Sequence, residues 1–216
     1  MKTIEDIYNE YHIIPSLRMH MYRVAAVAQI LCENMDTPVD TKSVIATCLL
    51  HDMGNIIKFD FETFPDFFAK EGKEYWQGIQ KEFHEKYHTT DEHHATLAIA
   101  VEVDANLHTL ELLHACGFSK AVAIDTAPEL EKKICLYADL RVAPLGVVSL
   151  EERLGDLEKR YGGRSDAIHG RNRDDVYNAI WNIEQELFGH TKITPASITE
   201  EYVQEIITTL QQTVIH

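Results

Sequence analysis

The fold of this chain is decided by the stretch Val44-Ile45-Ala46-Thr47-Cys48-Leu49-Leu50-His51-Asp52-Met53-Gly54-Asn55. It begins as an apolar run, which ends on a histidine and an aspartate. Burying two such polar groups costs free energy unless both of them find partners. An imidazole nitrogen and a carboxylate are common ligands of a divalent metal ion. The stretch therefore predicts a buried helix that supplies two candidate metal ligands, His51 and Asp52.

Two further polar residues occupy apolar helix faces elsewhere in the chain. His20 lies four residues before Val24 on the inward face of one predicted helix, and Asp139 shares the apolar stripe of another. If the three helices pack together, four polar side chains meet in one interior, and each would destabilise the fold by roughly a few kcal/mol if left unpaired. A divalent cation removes that cost. We therefore predict a metal site formed by His20, His51, Asp52 and Asp139.

Two histidines and two aspartates leave coordination positions open for water. Such a set suits iron, manganese, nickel, cobalt or zinc better than it suits a closed structural zinc site. The alternative is that each side chain is hydrogen-bonded in the core without a metal, as a lone buried histidine usually is. Metal analysis of the purified protein separates these two interpretations.

Composition and charge narrow the class of protein. The 216 residues are 45% hydrophobic and 25% charged, which suits one domain spanning 1–216, with a core at about 10–165. The formal charge of -15 argues against polymeric nucleic acid as a partner, because phosphates require a positive surface. It leaves room for a small phosphorylated substrate in a locally cationic pocket. The sequence is also compatible with assembly of several copies of the chain into a homo-oligomer.

The cellular location is predicted from what the sequence lacks. There is no apolar stretch of 18 or more residues to span a membrane, and the first residues lack the apolar segment of a signal peptide. The four cysteines are scattered in mostly apolar contexts without a closely spaced pair. These patterns predict a cytoplasmic protein without a membrane partner.

Helical patterns run through nearly the whole chain, and no convincing strand is found. Predicted helices cover 15 to about 35 with Ser16 as N-cap, 40–54 with Asp40 as N-cap and Gly54 as the end, and about 107–115. Others begin near Asp91 and near 128, and further helices are expected at 150–160, 172–188 and 197–214. The fold class predicted is an all-α helical bundle with extra C-terminal helices at 170–216.

Residues 55–92 differ from the rest because they are rich in aromatic and charged side chains. This insert is interpreted either as a lid that stacks a nucleotide base or as a helical hydrophobic subdomain that covers the core. Large aromatic side chains pack more often than they stack on ligands, which favours the second interpretation.

The order of the histidine, the His-Asp pair and the final aspartate resembles the HD-domain superfamily of metal-dependent phosphohydrolases. The segment His51-Asp52-Met53-Gly54-Asn55 looks like the HD-x-G-(N/K) segment of bacterial HD proteins, and the stretches 137–142 and 146–154 resemble the distal half of one group of uncharacterised bacterial HD hydrolases. The resemblance covers about residues 10–165. It implies an all-helical fold, one or two metal ions, and hydrolysis of phosphate esters or anhydrides (EC 3.1 class).

Dinuclear members of this superfamily place two more histidines between the HD pair and the last aspartate. The candidates for a second metal here are His93 or His94, together with His114. The chain continues after His114 without the paired histidines of HD-GYP proteins. We therefore favour one metal over two.

Roles for the site residues follow from the resemblance and from the needs of phosphoryl chemistry. Asp52 is expected to bind the metal and to orient the attacking water, while His93, His94 or Glu92 would supply a proton to the leaving oxygen. Arg18 and Lys58 are candidate phosphate-binding residues. Arg18 flanks His20, and Lys58 follows the His-Asp turn. The alternative for both is solvated surface charge.

The function predicted is hydrolysis of a phosphoester or phosphoanhydride bond in a small phosphorylated metabolite, with a nucleotide favoured. One alternative is a regulatory sensor that binds metal and ligand without turnover and uses its C-terminal helices as a partner surface. A second alternative is a structural adaptor without a metal.

Overall fold

The computed structural model describes residues 2–62, 68, 70–161 and 172–215, apart from the side chain of Tyr161. Helices dominate these residues, which confirms the predicted all-α fold. The helices are α1 Ile4–Glu10, α2 Pro15–Asn34, α3 Thr41–Leu50, α4 Lys73–Tyr87, α5 Glu92–Glu102, α6 Leu107–Ala115, α7 Ala121–Asp125, α8 Leu130–Leu140, α9 Leu150–Tyr161, α10 Arg173–Gly189 and α11 Glu200–Leu210. Short 3-10 turns lie at Asn55–Lys58, Phe118–Lys120 and Pro195–Ser197.

Helix α2 is the centre of the core, and it packs against α3, α8 and α11. Its middle turns carry small apolar residues, and Ala25, Ala26, Val27 and Ala28 are all fully buried. Small side chains on several faces let neighbouring helices approach from more than one side. This arrangement holds α3 and α8 against the helix that carries His20.

One short strand pair was not predicted from the sequence. Val142–Ala143 (β1) pairs antiparallel with Gly146–Val147 (β2), directly after α8. Two-residue strands are too short to produce the alternating pattern by which strands are recognised. The tight return is made by Gly146, whose φ of +156° is a conformation that side-chain-bearing residues rarely adopt.

Two predicted helix ends differ from the structure. Helix α2 begins at Pro15, because a proline is well accommodated at the first position of a helix. Ile14 is therefore the N-cap, and Ser16 lies inside the first turn. Helix α3 is capped by Asp40 as predicted but ends at Leu50, before the His-Asp pair. Gly54 is therefore not the helix terminator, and its φ of -87° is not the left-handed value of a glycine cap.

The C-terminal helices are joined to the core by buried polar contacts. Arg141 is only 4% exposed, and its guanidinium donates to the carbonyl oxygens of Val148, Pro195 and Ile198. Arg23 on α2 lies 2.8 Å from the carboxylate of Glu200, the first residue of α11. Because its guanidinium is bound to backbone carbonyl groups, Arg141 links α8 to the C-terminal segment.

The described aromatic residues of the 55–92 insert pack against one another. Phe61 and Phe68 have ring centroids 4.9 Å apart, and Trp76 on α4 is only 3% exposed. Phe64 and Phe67 lie outside the described residues. No helix in the described ranges combines the length and hydropathy needed to cross a membrane.

Candidate metal centre

His20 reaches the centre from the second turn of α2. Its Nε2 atom lies 3.1 Å from Oδ1 of Asp139 and 3.7 Å from Oδ2 of Asp52. The packing of α2 between α3 and α8 thus gives one imidazole access to carboxylates from two different parts of the chain.

His51 is the C-cap residue of α3, and its two ring nitrogens have different surroundings. Nδ1 lies 2.8 Å from the carbonyl oxygen of Cys48, one turn earlier in the same helix. Nε2 is buried, has no hydrogen-bond partner among the described residues, and lies 3.6 Å from both Oδ2 of Asp52 and Oδ1 of Asp139. A buried nitrogen that faces two carboxylates without a hydrogen bond calls for a ligand.

The four sequence-predicted ligands therefore converge. His20, His51 and Asp52 each offer a ligand atom, and these atoms all lie within 4.8 Å of one another, close enough to hold one metal ion. Asp139 joins them from the last turn of α8 through its contacts with both histidines. The donor set of imidazole nitrogens and carboxylate oxygens fits a divalent transition metal.

The charges of the cluster raise one pKa and lower another. Burial alone would lower the pKa of His51, but the carboxylates of Asp52 and Asp139 outweigh it and raise the pKa to about 9. Burial likewise opposes ionisation of Asp139, yet the hydrogen bond from His20 and the nearby imidazole of His51 hold its pKa well below its usual value. The carboxylates thus stabilise positive charge on His51, as expected of a cation site.

Gly54 allows the start of α5 to approach the His-Asp turn. Its N–H donates to the hydroxyl of Thr96 at 2.9 Å. A Cβ atom at this position would lie 2.3 Å from the carbonyl oxygen of Glu92 and 2.7 Å from the backbone nitrogen of Thr96. Only a glycine permits this contact, so Gly54 brings the first turn of α5 to the cluster.

A cleft of about 690 Å³ opens onto the cluster. His51, Asp52 and Asp139 form one part of its wall, and the first residues of α5 and the segment 116–120 form others. Lys58 also lines the cleft, and its Nζ lies 2.6 Å from the carboxylate of Glu92.

Three candidate residues for a second metal are placed differently. His93 lines the cleft, and its Nε2 is buried without a hydrogen-bond partner in the described residues. The ring of His114 lies 6.1 Å from that of His93, but the His114 side chain is exposed. His94 is also exposed, and its backbone N–H is capped by Asp91. Among the three, only His93 lines this cleft.

The neutral form of His93 is favoured. Burial lowers the pKa of this imidazole, and the nearby ammonium of Lys120 lowers it further. His93 is therefore suited to accept a proton or a hydrogen bond near neutral pH, and it is poorly suited to donate a proton to a leaving group.

The structure does not bring Arg18 to the cleft. Its guanidinium donates to the carbonyl oxygens of Ile13 and Tyr8 and to the side chain of Asn9, which fastens α1 to α2. Its sequence position two residues before His20 suggested a substrate contact, but residues two apart on a helix point in different directions.

The segment 116–120 contains cleft residues that the sequence did not single out. Lys120 and Phe118 line the cleft from the 3-10 turn that follows α6. The available signal was the sequence Gly117-Phe118-Ser119-Lys120, a turn directly after the helix that carries His114. Among the described aromatic side chains, Phe118 is the one that lines this cleft, and the described aromatic residues of the 55–92 insert do not contribute to its wall.

Three thiols complete the wall. Cys48 on α3 and Cys135 on α8 share a side-chain hydrogen bond, and Cys116 lies nearby at the end of α6. Burial raises the pKa of Cys116 well above its ordinary value. A neutral thiol is a weak nucleophile, so this cysteine serves as apolar lining.

One family of known proteins matches the part of the chain that carries most of the candidate metal ligands. The family model for the HD domain matches residues 16–96, a range that contains His20, His51, Asp52 and His93. Asp139 lies beyond the matched range and joins the cluster through the packing of α8. No curated protein and no solved structure matches the chain significantly. The match agrees with the resemblance seen in the sequence: residues 16–96 are similar to the HD domain.

Proposed function

We propose that this protein is a metal-dependent phosphohydrolase that cleaves a phosphoester or phosphoanhydride bond in a small phosphorylated metabolite. The observation that carries the proposal is the buried, unpartnered Nε2 of His51, which faces the carboxylates of Asp52 and Asp139 at the wall of a cleft. HD domains are generally associated with metal-dependent hydrolysis, which agrees with this chemistry.

The residues present fit a divalent metal. His20, His51, Asp52 and Asp139 would hold it, and the ion would then compensate their partly buried charges. A bound divalent ion lowers the pKa of a coordinated water and polarises a phosphoryl oxygen. One metal is the number that we propose, because the described residues whose ligand atoms gather within 4.8 Å are His20, His51 and Asp52, while His94 and His114 are exposed.

The chain's own residues supply the remaining functions. Asp52 lies at the cleft wall, where its carboxylate can accept a hydrogen bond from the attacking water. His93, whose pKa is lowered by burial and by Lys120, is neutral near pH 7 and is assigned the role of proton acceptor. Lys58 and Lys120 bring positive charge to the cleft of an otherwise acidic protein.

A nucleotide is the substrate class that we propose to test first. A cleft of about 690 Å³ falls within the range of roughly 300–1,000 Å³ that is common for small-molecule sites. Phe118 offers one aromatic ring for a base. The net charge of -15 disfavours a polymeric nucleic acid, which leaves a small nucleotide as the form of nucleic-acid substrate to test.

The experiment couples metal analysis to a phosphatase screen. Protein purified without chelator is assayed for bound metal, then with manganese, cobalt and nickel against phosphomonoesters, diesters and nucleotides. We expect close to one metal per chain and turnover that chelation removes and metal restores. Bound metal without turnover across the whole panel would contradict the enzyme and favour a sensor, while less than about a tenth of an equivalent of metal would favour an adaptor.

A further inference from the structure

A second charged feature lines the same cleft as the metal cluster. The turn Phe118–Lys120 follows α6, and Lys120 lines the cleft with Asp52 and Asp139. The metal-site residues and this lysine come from distant parts of the sequence, so their presence in one cleft is a property of the fold.

Among the described residues, no carboxylate neutralises the positive charge of Lys120. Its Nζ donates to the carbonyl oxygen of His114, a neutral group at the end of α6. No acidic side chain in the described part of the chain forms an ion pair with it, as the ion pairs found there involve other cations. Lys58 differs, because the carboxylate of Glu92 lies 2.6 Å from its Nζ. Lys120 is therefore the better placed of the two to bind an anion.

The position of Lys120 is held from both sides. Gly117 turns the chain with a φ of +131°, and Phe118 packs against Tyr177 on α10 with ring centroids 6.3 Å apart. Ala121, directly after Lys120, is fully buried at the start of α7. Because the backbone is anchored, an ion at Lys120 meets a cation whose location is defined before binding.

The charge balance of the cleft favours one kind of anion. Asp52, Asp91, Glu92 and Asp139 also line it, and they repel anions that lack a cationic partner. A terminal phosphate carries close to two negative charges near neutral pH, whereas an internal phosphodiester carries one. Coulomb attraction scales with the charge, so an unpaired ammonium favours the terminal phosphate.

We infer that Lys120 binds the phosphate of the substrate and selects terminal phosphomonoesters over phosphodiesters. This inference rests on the proposed phosphohydrolase function. It assigns Lys120 to the substrate, while its contact with the His114 carbonyl orients the side chain.

Three variants test the inference. Lys120→Gln keeps an N–H donor for the His114 carbonyl but removes the charge, and Lys120→Arg keeps the charge. Lys42→Gln is the matched control, since Lys42 is exposed on α3, lies outside the cleft lining and changes the net charge equally. The measurements are inorganic phosphate binding to the metal-loaded proteins by calorimetry, and kinetics with p-nitrophenyl phosphate and bis-p-nitrophenyl phosphate.

We expect Lys120→Gln to weaken phosphate binding by about tenfold or more and to raise KM for the monoester by a similar factor, because a charge-assisted contact is lost. Diester kinetics should change less, Lys120→Arg should recover much of the loss, and Lys42→Gln should match the wild type. Metal content and the unfolding temperature of Lys120→Gln should remain near wild type.

The opposite results overturn the inference. It fails if Lys120→Gln binds phosphate as the wild type does, or if monoester and diester kinetics fall equally. It also fails if the wild type binds no phosphate. Absence of turnover in the wild type would instead overturn the proposed enzyme, and the phosphate-binding comparison would still decide the role of Lys120.

Discussion

Nδ1 of His51 lies 2.8 Å from the carbonyl oxygen of Cys48. A carbonyl only accepts, so Nδ1 carries a proton and Nε2 is the nitrogen that can bind a metal. The helix that positions His51 thereby also selects its tautomer. A divalent ion would take the place of the proton that the nearby carboxylates otherwise hold on Nε2.

Asp52→Asn should abolish metal retention and phosphohydrolase activity while leaving a folded protein. The amide keeps the size of the carboxylate but removes a negative charge and a ligand oxygen that lies 3.6 Å from Nε2 of His51. Metal analysis, circular dichroism and the phosphatase assay check this. A variant with full metal occupancy and wild-type turnover would contradict the assignment of Asp52.

Metal affinity should rise with pH up to about 9. The pKa of His51 is raised from 6.5 to about 9, so in the metal-free protein its ion pairs stabilise the fold fully below pH 6.5 and lose this contribution as the pH rises through about 9. Metal must displace that proton, so the apparent Kd should fall about tenfold per pH unit between 7 and 9. Calorimetric titration in buffers of different ionisation enthalpy measures the released proton. A Kd that is independent of pH in this range would be the contrary result.

Gly54→Ala should lower the free energy of unfolding by about 2–3 kcal/mol, because the new Cβ would overlap the backbone of Glu92 and Thr96. Gly78→Ala is the control, since Gly78 lies inside α4 with no atom near an added Cβ. That control should raise stability by roughly 0.5–1 kcal/mol. Denaturant unfolding measures the free energy of unfolding of both variants. Equal changes in the two would mean that the contact with α5 does not require the glycine.

Lys120→Gln should raise the pKa of His93 while leaving it below the ordinary value for histidine. Burial is the larger cause of the lowered pKa and persists in the variant, whereas the charge of Lys120 is removed. The measurement is a pH titration of the His93 ring by NMR in metal-free protein, with Lys42→Gln as the control. An unchanged pKa in Lys120→Gln would show that the two side chains are not coupled in solution.

Much of the helical architecture was predictable from local pattern. Helix α6 was expected at 107–115 and is found at Leu107–Ala115, and Asp40 caps α3 as its position suggests. The candidate ligands His20, His51, Asp52 and Asp139 could be named for the same reason, since a polar residue on an apolar helix face stands out against the 3.6-residue period.

What surrounds those ligands depended on contacts between distant segments. Arg18 lies two residues before His20 in sequence yet binds the carbonyls of Tyr8 and Ile13, while Lys120 reaches the cleft from a turn whose only local signal is its glycine. Phe61 and Phe68 pack on each other and do not line the cleft.

The sequence by itself determined the helices and the identity of the candidate metal ligands, because burial of an apolar face imposes a period that can be read locally. Only the tertiary structure decided that Gly54 admits α5 to the cluster, that Lys120 lines the cleft and that Arg18 does not. The physical reason is that the direction of a side chain and the charge around it are set by how helices pack, and packing joins residues that are far apart in the chain.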